Sequence, residues 1–157
     1  MNETTTPVVF FDIGDTLGTP KISPPLYRLE ELDIYPYIPN LLQQLKNNEL
    51  KMGIISNTAH ETEDYMKRVL EEADIYSFFQ PDLLIYSSVV GVSKPSPEIF
   101  RLAAERAGYA DKPKNCLFVG EDSKERKSAV EVGWRVTPHP ILVIDVVKGS
   151  RLRYIRV

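Results

Sequence analysis

Short apolar runs alternate along this chain with longer stretches in which apolar positions recur every three or four residues. The runs are Val8–Ile13, Met52–Ser56, Leu83–Ser87 and Cys116–Gly120. Each is apolar at successive positions, the pattern of a parallel strand covered by helices on both faces. The periodic stretches predict helices. Over Ile38–Asn48 the residues Ile38, Leu41, Leu42 and Leu45 share one stripe, and over Glu61–Ala73 Met66, Val69 and Leu70 do. Pro97–Ala107 opens with proline in its first turn and stops before Gly108, and Ser123–Val132 stops before Gly133. Alternation at this spacing predicts an α/β fold, a Rossmann-like doubly wound parallel sheet with right-handed crossovers.

Two segments carry no such pattern. Gly18–Tyr37, interrupted by Pro20, Pro24, Pro25 and Pro36, has no period and reads as an irregular flap after the first strand. The tail ILVIDVVKGSRLRYIRV fits either a hairpin turning at Lys148–Ser150 or a helix followed by a strand, and periodicity leaves both open. The expected organisation is one domain over residues 1–157, with a core of about 7–136, the flap at 18–37 and a C-terminal extension at 137–157.

Composition narrows the class. At 157 residues and 43% hydrophobic, the chain can bury one sizeable core. A formal net charge of -3 gives no reason to expect nucleic acid or an acidic membrane as partner. The arginines of RLRYIRV read as a solvated edge, and the single cysteine, Cys116, as a small core residue. The stretch MNETTTPVV has neither the basic segment nor the apolar run of a signal peptide, and no run approaches a membrane span. The expectation is a soluble, cytoplasmic protein.

The chemistry begins at Asp12, a carboxylate at the end of the first apolar run and ahead of a Gly-Asp-Thr loop. Open α/β sheets place their sites at such strand ends. Four motifs follow in order: FDIGDTL, GIISN, GVSKPSPEIF and FVGEDSKE. Together, from about Val8 to Val136, they make the chain similar to the haloacid dehalogenase superfamily of hydrolases. The resemblance implies Asp12 as nucleophile of the DxDxT signature, Ser56 as the hydroxyl residue of the second motif and Lys94 as the lysine of the third. It implies phosphoryl-oxygen binding by Lys94, Ser56, Thr16 and Asn57. It also implies magnesium held by Asp12, the Gly14 carbonyl and Glu121, with Asp15, Asp122 and Glu125 as further candidate acids. Hard oxygen donors in a thin set are what magnesium accepts.

The chain departs from the family pattern at Gly14, where active phosphatases carry a second aspartate that protonates the leaving oxygen. Such general acid–base help is worth about 10²–10⁴-fold in rate. Asp15 lies one place too far along to share that face in an extended strand, unless Gly14 supplies a left-handed turn; its plainer reading is a turn residue. Glu121 and Glu125 stand where the fourth motif has aspartates. The stretch from Asp12 to Ser56 leaves no room for a large cap domain, so the site is expected to be open. An open site suits a macromolecular substrate, or a homo-oligomer whose neighbour acts as lid; the expected partner is a phosphorylated small molecule or macromolecule. Tyr27, Tyr35 and Tyr37 either line the opening or pack on the core. His60 reads as a polar loop residue, and His139 shows no partner. The leading expectation is a slow magnesium-dependent phosphatase. A phosphate- or partner-binding protein without turnover comes second, and a metal-independent dehalogenase third.

Overall fold

The structure, a computed structural model, describes residues 6–152. β1 (Val8–Phe11) leads into β2 (Gly18–Ser23) and β3 (Arg28–Ile34), then α1 (Ile38–Asn47), β4 (Lys51–Ser56) and α2 (Glu63–Glu72). β5 (Leu84–Tyr86), the short α3 (Ser87–Val90), α4 (Pro97–Arg106), β6 (Cys116–Val119), α5 (Ser123–Glu131), β7 (Arg135–Thr137) and α6 (Val143–Leu152) complete the order. Five strands form one parallel sheet in the order β5-β4-β1-β6-β7. The expected Rossmann-like α/β architecture is therefore present, and between β1 and α1 there is a hairpin rather than a large cap domain.

The strand pleat divides the core between two faces. Val9 and Phe11 of β1 pack with α1, α2 and α6 through Leu42, Leu70 and Val143. Val8 and Phe10 face the other way, against Ile99, Phe100 and Ala103 of α4 and against Trp134. Both residue sets on β1 are at most 1% exposed, which is why the run reads as continuously apolar. Cys116 is wholly buried, and desolvation pushes its thiol up to about 12, as expected for a core residue. No helix among the described residues is long and apolar enough to cross a membrane.

One expectation requires correction, and one left open is decided. The segment from Gly18 is no irregular flap: β2 and β3 pair antiparallel from Gly18↔Ile34 to Ser23↔Arg28, with a register shift between Lys21 and Ile22. Both strands of a two-stranded ribbon are edges, so Pro20 is tolerated, and most of its residues meet water, so no apolar period is selected. Among the hairpin's large apolar side chains only Leu32 is buried, with Leu29 packing beside it. Of the two readings open for the tail, the hairpin at 148–150 falls and the helix is present: α6 runs through that stretch, and Val143 and Val147 join the core. The end of the tail, with the side chains of its arginines, lies outside the described residues.

Candidate active site

The sheet order creates the site. From β1 the chain builds β4 and β5 on one side, then crosses to lay β6 and β7 on the other. The crevice beyond the carboxyl ends of β1 and β6 is the switch point where such sheets bind ligands. The Asp12 N–H donates to the Val119 carbonyl (2.9 Å) and the Gly120 N–H to the Thr137 carbonyl (3.2 Å), extending the ladder past the strand ends. A Cβ on Gly120 would lie 2.7 Å from the Phe118 ring, so a side chain there would displace that ring, while its 3.5 Å approach to Asp12 Cβ would be ordinary contact.

Lys94, in the loop between α3 and α4, reaches into this crevice. Its side chain is 1% exposed, and Nζ stands 2.7 Å from Asp12 Oδ1 and 2.7 Å from Glu125 Oε1. A buried ammonium requires such partners. The ring of Phe118 forms part of its floor, 5.2 Å away. Burial holds the Glu125 carboxyl above the ordinary glutamate range; the Lys94 charge and hydrogen bond oppose this, and the charges of Asp12 and Asp122 reinforce it.

Asn57 follows the end of β4, and its carboxamide meets the backbone of Lys94 on both sides. Nδ2 donates to the Lys94 carbonyl (2.9 Å), and the Lys94 N–H donates to Oδ1 (2.9 Å). Ser56, the last residue of β4, is 6% exposed and pairs in register with Tyr86. The Thr58 N–H donates to Ser87 Oγ, and Thr58 Oγ1 lies 2.6 Å from Ser88 Oγ, pinning the loop to the start of α3. Thr16 is buried, with no protein hydrogen-bond partner for its hydroxyl among the described residues.

The acids that sequence offered as alternatives are arranged differently. The left-handed residue of the first loop is Asp15 itself, at φ 60°, and not Gly14. Asp15 is exposed and its N–H donates to the Gly18 carbonyl (2.8 Å), so it is a turn residue. A Cβ on Gly14 would make ordinary contact with Pro20, 3.5 Å from Cγ. Asp122 caps α5, its Oδ1 accepting from the N–H groups of Lys124 (2.8 Å) and Glu125 (3.0 Å). That cap sets Glu125 on the first turn, facing Lys94. Glu121 is exposed at the junction. Arg126, which the sequence reading passed over, donates from Nη1 to the carbonyls of Gly120 (2.9 Å) and Glu121 (2.7 Å) and braces the loop.

No group of three His, Cys, Asp or Glu side chains able to hold a metal occurs among the described residues. The expected magnesium set needs only two carboxylates and a carbonyl, and its charge balance fits. With Glu125 ionised, one lysine faces two carboxylates, an excess of negative charge that a phosphoryl group would increase. Hard oxygens with water completing the shell are the donors magnesium takes.

The hairpin flanks the crevice and is tied down. Arg28 Nε donates to both oxygens of Glu61 (3.0 and 2.8 Å), its guanidinium lies 3.6 Å over the Tyr65 ring, and the Tyr65 hydroxyl donates to the Leu29 carbonyl (2.7 Å). Tyr35 and Tyr37 stack at 6.1 Å and pack on the core, while Tyr37 also stacks on His139 at 5.6 Å. Tyr27, at the hairpin tip, is 75% exposed.

A family model described as haloacid dehalogenase-like hydrolase matches residues 17–133. The phosphoglycolate phosphatase of Aquifex aeolicus is 28% identical over 99 residues, covering 63% of this chain and 43% of its own length. The chain spans less than half the length of the curated relatives it matches. A HAD-superfamily hydrolase structure from Ehrlichia chaffeensis superposes with a TM-score of 0.68 at 19% identity, covering 94% of this chain and 98% of that one. A HAD family enzyme from Bacteroides thetaiotaomicron, in complex with magnesium and inorganic phosphate, superposes at 0.53 with 27% identity, covering 68% and 53%.

Proposed function

Because this chain belongs to the haloacid dehalogenase-like hydrolases, we propose that it hydrolyses phosphomonoesters, small or macromolecular, through Asp12. The observation that carries this reading is the buried Lys94 ammonium held between Asp12 and Glu125 at the switch point of the sheet. A carboxylate nucleophile beside one fixed cation suits phosphoryl transfer, where positioning and charge stabilisation do most of the work. The phosphatase relative and the phosphate-bound neighbour support the same class.

The Asp12 carboxylate attacks phosphorus, the bond to the ester oxygen breaks, and that oxygen departs with the electron pair. Water then attacks the aspartyl-phosphate; the bond from Asp12 to phosphorus breaks, and phosphate leaves with both protons of the water. Lys94 and the hydroxyls of Ser56 and Thr16 bind the equatorial oxygens. Asp12, the Gly14 carbonyl and Glu121 would hold magnesium, which when bound neutralises phosphoryl charge. With glycine at position 14 the departing oxygen draws its proton from water, so turnover is slow and depends on a good leaving group.

A second reading is favoured by one observation: the exposed Asp15 turns away in a left-handed conformation and does not replace the missing acid. On that reading the chain binds phosphate or a phosphorylated partner without turnover. Dehalogenase chemistry ranks below both, since relatives of that kind draw substrate contacts from a cap absent here. The deciding measurement is hydrolysis of an aryl phosphate with and without magnesium by the wild type and Asp12→Asn. Metal-dependent activity that falls by at least about 10³-fold in the variant supports the proposal. Equal rates in the two proteins would overturn it.

A further inference from the structure

We infer that Asn57 is a positioning residue for Lys94 rather than a ligand of the substrate. Its carboxamide closes on a single residue of another motif, 37 positions away, donating to the carbonyl of Lys94 and accepting from its N–H. Lys94 lies in neither helix nor strand, so no ladder holds its peptide. Its side chain has four rotatable bonds, yet Nζ must stand at 2.7 Å from two separate carboxylates. Fixing the backbone on both sides removes the freedom that would otherwise be lost on pairing. Asn57 is itself held, because Thr58 beside it is pinned to Ser87 and Ser88. The family resemblance places Asn57 among the residues that bind phosphoryl oxygens; in the fold its carboxamide bonds both backbone groups of Lys94.

The kinetic half of the inference rests on the proposed phosphatase reading, and its structural half does not. Asn57 is exposed on the rim, so substitutions there leave the core intact. The test compares Asn57→Ala and Asn57→Asp with the wild type in two assays. In the first, the unliganded protein is acylated with acetic anhydride and modification of Lys94 is followed by mass spectrometry. Asn57→Ala is expected to raise labelling by about 10-fold or more, the scale of losing two hydrogen bonds. Asn57→Asp, which keeps the acceptor and loses the donor, falls between. Arg28→Ala, which frees the Glu61 end of the same loop, leaves labelling at the wild-type level.

In the second assay, aryl phosphate hydrolysis, kcat of Asn57→Ala falls about 10- to 100-fold while KM changes little, because a displaced ammonium is missed most in the transition state. A raised KM with unchanged kcat would mean that Asn57 binds substrate directly, and would overturn the inference. So would wild-type labelling of Lys94 in Asn57→Ala, or labelling in Arg28→Ala raised as much as in Asn57→Ala. If the wild type hydrolyses nothing, the phosphatase reading fails alone, and the labelling still decides the role of Asn57.

Discussion

Lys94 Nζ lies 2.7 Å from Asp12 Oδ1, although 82 residues separate the two in the chain. The contact joins the end of the central strand to a loop beyond the far edge of the sheet, and Glu125 completes it from a third element. Three segments without local reason to meet are thus held by one buried charge.

Removing that charge leaves two carboxylates facing each other in a largely desolvated crevice. Lys94→Met is expected to destabilise the fold by about 3 kcal/mol at pH 7, the lower end of the cost of breaking a buried pair, because both carboxylates keep some contact with water. Urea denaturation measures it. A loss below about 0.5 kcal/mol would show that the lysine is not their counterion.

Glu125 gives the fold a distinct pH response. Its pKa in the folded protein lies above the ordinary value of 4.5, chiefly through burial, so the native state binds this proton more tightly than the unfolded chain does. The associated stability is present below 4.5 and is lost as pH rises through the folded value. Glu125→Gln cannot ionise. Its stability relative to wild type should therefore climb with pH across that window and then level off, as chemical denaturation at a series of pH values would record. A difference that is flat or declines with pH contradicts the assignment.

Gly14→Asp restores a carboxyl two residues after Asp12, and the space beside Pro20 admits its Cβ without displacement. Hydrolysis of alkyl phosphates, whose leaving oxygens need a proton, should rise by up to about 10²-fold, and aryl phosphates should gain much less. An equal gain on both classes would point to something other than protonation of the leaving group.

Glu121 is the exposed member of the proposed metal set. Glu121→Ala should raise the magnesium concentration giving half-maximal activity by about 10-fold, while the melting temperature without metal stays near wild type. Unchanged metal dependence would remove Glu121 from the site.

The hairpin is held at its tip by the Arg28–Glu61 pair and by the Tyr65 hydroxyl on Leu29. Tyr65→Phe should cost about 1 kcal/mol. Amide exchange in β2 and β3 should accelerate more than in the five-stranded sheet, since the hairpin contributes little to the core.

Sequence alone determined the framework of this protein. Residues packed between two layers of helices must be apolar at every position, so β1, β4, β5 and β6 stand out as runs. Helices buried along one stripe show their period, and the four motifs appear because strand ends and loop starts are local in the chain. That is enough to place Asp12, Ser56 and Lys94 at the end of the sheet. The hairpin escaped because few of its side chains, chiefly Leu29, Leu32 and Ile34, turn toward the core while most meet water, and β7 because three residues at a sheet edge form no run.

Only the tertiary structure decided which polar groups are spent on one another. Asp122 is a cap, Asp15 a turn residue and Asn57 a clasp on Lys94, while Glu125 rather than Glu121 shares the lysine. A motif gives the type and order of side chains. A hydrogen bond depends on direction to within an ångström, and that is set by how distant segments pack, which no local spacing records.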